Sequence, residues 1–321
     1  MIEYDEGIHL KGTDIWLDSK KKTLFSFISN ANFNQFAPHE KIIATRQTVK
    51  LFGKEVKNSV VLECPFNHPF TLGKAQIELI PAGYILGSSQ IVVEIDGEKI
   101  IYTGDFKLRP TETAESAEVR RANILIMKCT YGIPKYVFPP SESVIDSIVT
   151  FVDESLSSGI TPVLLVDALG KAQDIVKILG DIGYRLSLHR SIYKAVRVYE
   201  EFGISFSNYE SFKPKELEGR ILLIPPYLRG AEIIERIEKK KIGVVTGWAL
   251  DKTFVKSVFR ADEGFPLSNH ADYNELLQLV EITKPKIVYL IHGFSTEFAR
   301  TLIKRGFNAK PLETPSQLKL L

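Results

Sequence analysis

The sequence predicts an α/β protein in which one α/β segment interrupts a second domain. Residues 1–138 are dominated by short apolar runs that are typical of strands, whereas residues 139–253 alternate apolar strands with amphipathic helices. Residues 254–321 return to strand and helix patterns. Short strands that alternate with helices favour a parallel sheet flanked by helices, so the middle segment is predicted to be an inserted lobe.

Seven apolar runs in the first part are predicted strands: residues 14–18, 24–28, 41–44, 77–80, 91–95, 99–103 and 124–127. Asp96 and Gly97 join two of these runs into a hairpin, because an Asp-Gly pair readily adopts the positive φ angles of a tight turn.

The middle and last parts supply alternating elements. The predicted helices are residues 141–155, 171–179, 192–201, 231–240, 273–282 and 296–305. The predicted strands are residues 162–166, 220–224, 242–246, 255–260 and 286–291. A chain of 321 residues can bury a sizeable core and fits one large domain with an insertion, or two domains.

Composition narrows the class of protein. With 44% apolar and 25% charged residues the chain resembles ordinary globular proteins, and it has no apolar run of the roughly 18 residues that span a bilayer. The acidic first eleven residues do not resemble a signal peptide, so we expect a cytoplasmic protein with no membrane partner.

Net charge and cysteine content exclude little by themselves. The net charge of +2 neither supports nor excludes nucleic-acid binding, since a near-neutral total can conceal a basic patch. Cys64 and Cys129 lack C-x-x-C spacing, which argues against a disulfide framework and against a cysteine-based zinc or redox site. We expect two buried or inert thiols.

The segment after the second predicted strand has the layout of a two-metal hydrolase loop without its ligands. In that loop the pattern H-x-H-x-D-H follows a buried strand, and residues 30–35 here read N-x-N-x-N-Q. Side-chain amides are neutral, weak donors that rarely hold a transition metal. Taken alone, the segment also fits an Asn-rich turn.

Six further motifs occur in one order along the chain: P-A-G-Y-I-L-G-S-S-Q at 81–90, Y-T-G-D-F at 102–106, C-T-Y-G at 129–132, A-L-G-K-A-Q at 168–173, L-S-N-H-A-D at 267–272 and I-H-G at 291–293. With these motifs the chain resembles the metallo-β-lactamase-fold nucleases of the β-CASP group. It is most similar to the short exonuclease-like proteins associated with DNA ligase and named mRNA 3′-end processing factors. The resemblance covers nearly the whole chain.

The resemblance implies an α/β fold, a metallo-β-lactamase αββα sandwich with an inserted β-CASP domain. Residues 1–138 and 254–321 would form the sandwich and residues 139–253 the insertion. It also implies phosphodiester hydrolysis, in which paired zinc ions lower the pKa of a bound water and offset charge in the transition state.

This chain departs from the family at the positions that would bind metal. The family's loop histidines and aspartate fall on amides, a further histidine falls on a tyrosine, and an acidic position falls on a lysine: Asn30, Asn32, Asn34, Gln35, Tyr84 and Lys128. Although the family implies zinc, we therefore expect no metal and no other cofactor.

Four positions keep the family's residue. The resemblance assigns loop orientation to Asp18, a metal-bridging carboxylate to Asp105, assistance to the leaving group to His270, and one metal ligand to His292. A catalytic zinc usually takes three protein ligands, and Asp105 and His292 provide only two. The alternatives are a hydrogen-bonded structural histidine at 292 and a turn residue at 105. The other histidines, at 9, 39, 68 and 189, are interpreted as surface or structural.

Lys128 suggests how the fold could tolerate the loss of metal. We hypothesise that its ammonium pairs with Asp105 where a metal would lie, since a buried carboxylate without a partner is costly. The alternative is a lysine at a strand end that extends to solvent.

The predicted function is that of a catalytically inactive β-CASP homologue, a nucleic-acid-binding or scaffolding subunit in DNA repair or RNA processing. The alternatives are a residual or metal-independent nuclease and a protein-interaction subunit beside an active β-CASP paralogue. Expected partners are single-stranded DNA or RNA and a repair or processing protein. Basic residues near the motifs are candidates for phosphate contacts, although most surface lysines are merely solvated: Lys107, Arg109, Lys135 and Lys171.

Overall fold

The computed structural model describes residues 2–32 and 37–312. The chain forms two compact units, one from residues 1–137 and 270–321 and the other from residues 138–269. The first boundary lies beside the one expected from sequence. The second lies after residue 269 instead of residue 253, because a strand at Glu263–Phe265 completes the sheet of the second unit.

The strands, in chain order, are β1 (Ile2–Tyr4), β2 (Ile8–Leu10), β3 (Ile15–Leu17), β4 (Phe25–Phe27), β5 (Lys41–Ala44), β6 (Val60–Glu63), β7 (Phe70–Leu72), β8 (Ala75–Pro81), β9 (Ser89–Ile95), β10 (Glu98–Tyr102), β11 (Ile124–Lys128), β12 (Thr161–Leu165), β13 (Leu186–Leu188), β14 (Tyr209–Ser211), β15 (Ile221–Ile224), β16 (Lys240–Val245), β17 (Glu263–Phe265), β18 (Ile287–Ile291) and β19 (Ala309–Pro311). The α-helices are α1 (Arg46–Phe52), α2 (Ser141–Ser157), α3 (Lys171–Asp181), α4 (Arg190–Glu201), α5 (Glu232–Glu235), α6 (Lys252–Ser257), α7 (Tyr273–Thr283) and α8 (Ser295–Lys304). Short 3-10 turns cover Gly53–Val56, Pro226–Leu228 and Gly247–Leu250.

The first unit is a sandwich of two sheets. One sheet has the strand order β1-β2-β3-β4-β5-β6, and the other has the order β19-β18-β11-β10-β9-β8-β7. Alternate apolar residues of both sheets, such as Phe27 and Ile126, form one buried cluster. Helix α1 covers the outer face of the first sheet through Phe52, and helices α7 and α8 cover the second through Leu276 and Phe298. These four layers confirm the predicted αββα fold class.

Parallel pairing brings several strand ends to one edge of this sandwich. Strands β3 and β4 are parallel, and so are β10, β11 and β18. Residue 128 is the last of β11, and the motif residues at 18, 29–32, 105 and 292 follow the carboxyl ends of the other four strands. Since parallel strands end on the same side of a sheet, the motifs are collected there.

The second unit is a separate three-layer α/β fold. Its six strands are all parallel in the order β14-β13-β15-β12-β16-β17. One apolar cluster includes residues of α2, α3 and α4, and a second lies on the opposite face with residues of α6. Both faces are covered, which is the arrangement that parallel sheets require.

Two predicted elements were wrong. Residues 255–260 form no strand, because Asp251 caps helix α6 by accepting a hydrogen bond from the Thr253 amide, and Val255 and Phe259 then face the core at helical spacing. The helix predicted at 231–240 extends only over Glu232–Glu235, because Lys240 pairs with Thr161 in the sheet. The periodicity did not reveal helix α1 or the short strands β1, β2, β6, β7, β13, β14, β17 and β19.

Both cysteines are buried thiols, as predicted. Burial raises the pKa of the Cys64 thiol to about 11. None of the described helices combines the length and the apolarity that crossing a bilayer requires.

Candidate functional site

Asp18 anchors the start of the amide-rich loop. It follows β3 with a φ of 44°, a left-handed conformation that Asp tolerates better than most residues. One carboxylate oxygen accepts a hydrogen bond from the Ser29 amide at 2.8 Å. The other accepts from the Ser29 hydroxyl at 2.6 Å and from the Tyr102 hydroxyl at 2.7 Å. The buried carboxylate is therefore held by three donors from two sheets.

The two side-chain amides of the loop that the structure describes, Asn30 and Asn32, both make hydrogen bonds within the site. Asn30 is 2% exposed, and its Nδ2 donates to Asp105 Oδ2 at 3.2 Å. Its Oδ1 accepts a hydrogen bond from the backbone N–H of Asn32 at 2.9 Å. Asn32 Nδ2 donates to the Tyr84 hydroxyl at 2.7 Å. The other two positions of this loop, Asn34 and Gln35, lie outside the described residues.

Lys128 and Asp105 form an ion pair at the ends of adjacent strands. Lys128 Nζ lies 2.9 Å from Asp105 Oδ2 and 3.5 Å from Asp18 Oδ2. The lysine side chain is 7% exposed, so it does not extend into solvent. The hypothesised pairing of these two residues is confirmed.

The charges of this pair stabilise each other. Burial alone raises the pKa of Asp105, but the charge of Lys128 and the contact with His270 outweigh burial and hold that pKa well below its usual range. Burial lowers the pKa of Lys128, but the carboxylates of Asp105 and Asp18 outweigh it, so the net pKa is raised. Both groups are therefore ionised at neutral pH.

His270 lies on the other side of Asp105. Its Nδ1 is 3.5 Å from Asp105 Oδ1, and its ring centroid is 4.6 Å from that of Tyr84. Through Tyr84 the histidine is connected to Asn32 and hence to the amide loop. A cavity of about 10 Å³, roughly one water molecule, borders Asp105, Lys128 and His270.

His292 lies close to this group along the sheet. It follows Ile291, which is the register partner of Lys128, and it adopts a φ of 59°. Its carbonyl accepts a hydrogen bond from Cys129 Sγ at 3.2 Å.

Two glycines in the motifs permit these close approaches. Gly104 has a φ of 56°, and a Cβ at this position would lie 2.5 Å from Ser29 Cβ. Gly293 also has a φ of 56°, and its Cβ would lie 2.4 Å from the Cys129 carbonyl oxygen. Neither position accepts a side chain, which explains the glycines of T-G-D and I-H-G.

The described residues do not fit the zinc pair that the resemblance implies. Among them, no group of three or more His, Cys, Asp or Glu side chains could hold a metal ion. Asp105, the carboxylate expected to bridge two metals, instead accepts hydrogen bonds from an ammonium and an amide. Each of these donors would have to move before a dication could bind that oxygen.

The four candidate phosphate-binding residues are in different environments. Lys107 and Lys171 are 5% and 6% exposed, and Lys171 pairs with Asp167. Arg109 pairs with Asp272 at 2.7 Å and Glu275 at 3.1 Å, at the start of α7.

Lys135 is exposed, with its ammonium 5.8 Å from the Tyr136 ring centroid. The role of all four basic residues remains a prediction, and Lys135 has the most accessible side chain.

Sequence reasoning missed the residues that support the site. Ser29 and Tyr102 bind Asp18, and the Glu275 carboxylate accepts from the Leu108 and Arg109 amides at 2.8 and 2.7 Å. The only sequence signals were a serine after a buried strand and the pattern D-x-x-E at 272–275, which is typical of a capping box.

The comparisons with known proteins agree with this architecture. Residues 263–310 match the family described as the Zn-dependent metallo-hydrolase RNA specificity domain. Over 99% of its length the chain is 36% identical to a probable DNA ligase of Opitutus terrae, of which it covers 32%. It is 25% identical to the RNase J-like protein of Methanocaldococcus jannaschii over 70% of the chain and 65% of that protein.

A solved structure supports the fold alone. A protein of unknown function from Enterococcus faecalis has a TM-score of 0.59 and 13% identity, with 91% of this chain and 79% of that chain covered. The chain thus spans 32% of the first and 65% of the second of the two curated relatives named above. Together, the αββα sandwich, the second α/β unit, the ordered motifs and these relatives show that the chain belongs to the metallo-β-lactamase-fold β-CASP nuclease family.

Proposed function

We propose that this chain is a catalytically inactive β-CASP homologue that acts as a scaffolding or nucleic-acid-binding subunit in DNA repair. The observation that carries the proposal is the position of Lys128 Nζ, 2.9 Å from Asp105 Oδ2. Hydrolysis in this family uses a dication at that carboxylate to lower the pKa of a bound water. An ammonium has no open coordination position, so it cannot supply that chemistry.

Residual hydrolysis by histidine alone is the second candidate. His270 contacts Asp105 at 3.5 Å and could exchange a proton, but general acid–base catalysis typically contributes about a hundred- to ten-thousand-fold. Enzymes that hydrolyse phosphate esters reach far larger enhancements, up to about 10²¹-fold for monoesters. The shortfall favours a role in binding over a role in catalysis.

The partner that we propose is a DNA ligase. Nearly the whole chain aligns with one third of a protein named probable DNA ligase, so in that relative a segment of this kind is part of a ligase polypeptide. A segment that is part of a ligase polypeptide in one organism is a candidate to work beside a ligase in this protein. An active β-CASP paralogue is the alternative partner, and RNA processing the alternative process.

Lys135 is the residue that we propose for contact with the nucleic acid. Its ammonium lies over the Tyr136 ring, which is 5.1 Å from the Tyr131 ring, and that ring is in turn 6.2 Å from His270. An exposed cation beside these motifs is accessible to a phosphate. Lys107, Arg109 and Lys171 would each have to leave the interior or an ion pair.

The test is a paired cleavage and binding assay on labelled single-stranded DNA and RNA, with zinc or manganese added. We expect no cleavage, and binding that weakens between about 50 and 200 mM salt. Lys135→Glu should reduce the salt slope by about 0.7, the value for one phosphate contact on a single strand. Lys286→Glu is the matched control. Lys286 is exposed and precedes β18, whereas the site lies at the other end of that strand, so this variant should leave the salt slope unchanged.

The possible results of these assays distinguish the proposed roles. Metal-dependent cleavage would refute the inactive assignment. Absence of salt-dependent binding, together with co-elution with a DNA ligase, would retain only the scaffolding role. Absence of both binding and co-elution would refute the proposed function.

A further inference from the structure

This chain carries other residues at the family's metal-ligand positions. Each of the replacements that the structure describes contacts another replacement or a residue that the family keeps. Asn30 donates to Asp105, Asn32 donates to Tyr84, and the Tyr84 ring packs on His270. Lys128 donates to Asp105. This covers every substituted position that lies in the described ranges 2–32 and 37–312.

Burial makes this pattern informative. Asn30, Tyr84 and Lys128 are 2%, 4% and 7% exposed, so their polar groups cannot rely on bulk water. A buried amide or ammonium without a partner is costly, and a hydrogen bond or ion pair to another buried group offsets part of that cost.

Lys128 also offsets part of the negative charge within the site. The side chains of Asp18 and Asp105 are 5% and 17% exposed, and Lys128 lies within 3.5 Å of both carboxylates. The neutral amide of Asn30 adds a donor to Asp105 without adding charge. One ammonium and one amide thus both donate to Asp105, the carboxylate that the resemblance assigns to metal bridging.

We infer that Asn30, Asn32, Tyr84 and Lys128 form a metal-free cross-link that replaces the structural role of the metal pair, with Lys128 as its cation. The cross-link joins the loops after β4, β8 and β10 to the end of β11 and to the segment before α7. The cross-link acts on the stability of the fold, so tests of it do not depend on whether the chain binds nucleic acid or a ligase.

The first experiment follows the thermal unfolding of the full chain and of Lys128→Ala. We expect the wild type to bind no zinc and to unfold at the same temperature with and without zinc. Lys128→Ala should unfold on the order of 10 °C lower, because it leaves two buried carboxylates without their cation. Lys286→Ala, at an exposed ion pair, is the control and should change little.

Chemical rescue identifies the missing group. The atoms that Lys128→Ala removes are those of n-propylammonium, which should therefore raise the unfolding temperature of this variant more than that of the wild type. The neutral analogue n-propanol should not, since it lacks the charge. Equal effects of the two compounds, or a wild type that zinc stabilises by more than ~3 °C, would overturn the inference.

A second measurement applies even if Lys128→Ala does not fold. Asn32→Ala, Tyr84→Phe and the double variant form a cycle for the 2.7 Å hydrogen bond between these residues. We expect the double variant to lower the unfolding temperature by clearly less than the two single shifts added together. Additive shifts would show that the substituted positions act independently and would contradict the cross-link.

Discussion

Replacing Tyr102 with phenylalanine should destabilise the first unit by about 2 kcal/mol. The Tyr102 hydroxyl donates to Asp18 Oδ2 at 2.7 Å, and both residues are buried. A hydrogen bond to a charged group contributes about 1.5–3 kcal/mol, and Asp18 keeps its two bonds to Ser29 when this one is lost. The ring packs edge-on against Phe27, a contact that phenylalanine preserves.

The two tryptophans allow the first unit to be followed by itself. Trp16 belongs to the first unit and Trp248 to the second, so a Trp248→Phe background leaves Trp16 fluorescence as the reporter. In urea the midpoint for Tyr102→Phe should fall by roughly 0.7–1 M, given a slope of about 2–3 kcal/mol per M.

The matched control is Tyr289→Phe. Tyr289 lies in the same unit, and its hydroxyl has no hydrogen-bond partner among residues 2–32 and 37–312, so its removal should shift the midpoint very little. Equal midpoints for Tyr102→Phe and Tyr289→Phe would refute the reasoning that Asp18 is held by a charge-assisted bond.

Three further predictions rest on other parts of the first unit. Burial lowers the pKa of His39 and outweighs the Ser19 backbone hydrogen bond and the Asp18 charge, which both raise it. The unfolded chain therefore binds more protons than the folded chain, and stability should fall as the pH drops below about 6.5. His39→Gln should flatten that dependence in urea melts at several pH values, and an unchanged slope would contradict the assignment. Gly104→Ala should lower the urea midpoint followed by Trp16 fluorescence much more than Gly97→Ala. Both glycines have positive φ, but only a Cβ at 104 would meet another residue, Ser29 Cβ at 2.5 Å. Arg109→Met should cost about 3 kcal/mol by leaving two buried carboxylates of α7 without their cation, while the folded variant keeps its affinity for single strands in a filter-binding assay. Weaker binding by the folded variant would instead assign this arginine to the nucleic acid.

The order of elements and the residues of the site could be predicted largely from sequence. Hydrophobic periodicity identified most strands and helices, because a buried face repeats with the period of its own backbone. The motifs predicted which residues follow the parallel strands, and the structure places Asp18, Asp105, Lys128 and His270 at one edge. Short apolar runs such as residues 255–260 were not predictable, since a run of that length fits a strand and a buried helix equally well.

Sequence by itself determined the family and the αββα class, because both depend on residue type and order along the chain. Only the tertiary structure decided where Lys128 points. An ammonium at a strand end can extend to solvent or turn inward, and the choice depends on the register of β10, β11 and β18 and on what they bury. The same holds for Asn32 and Tyr84, which are far apart in sequence and 2.7 Å apart in the fold. Contacts of this kind follow from packing over the whole unit, which no local pattern of residues encodes.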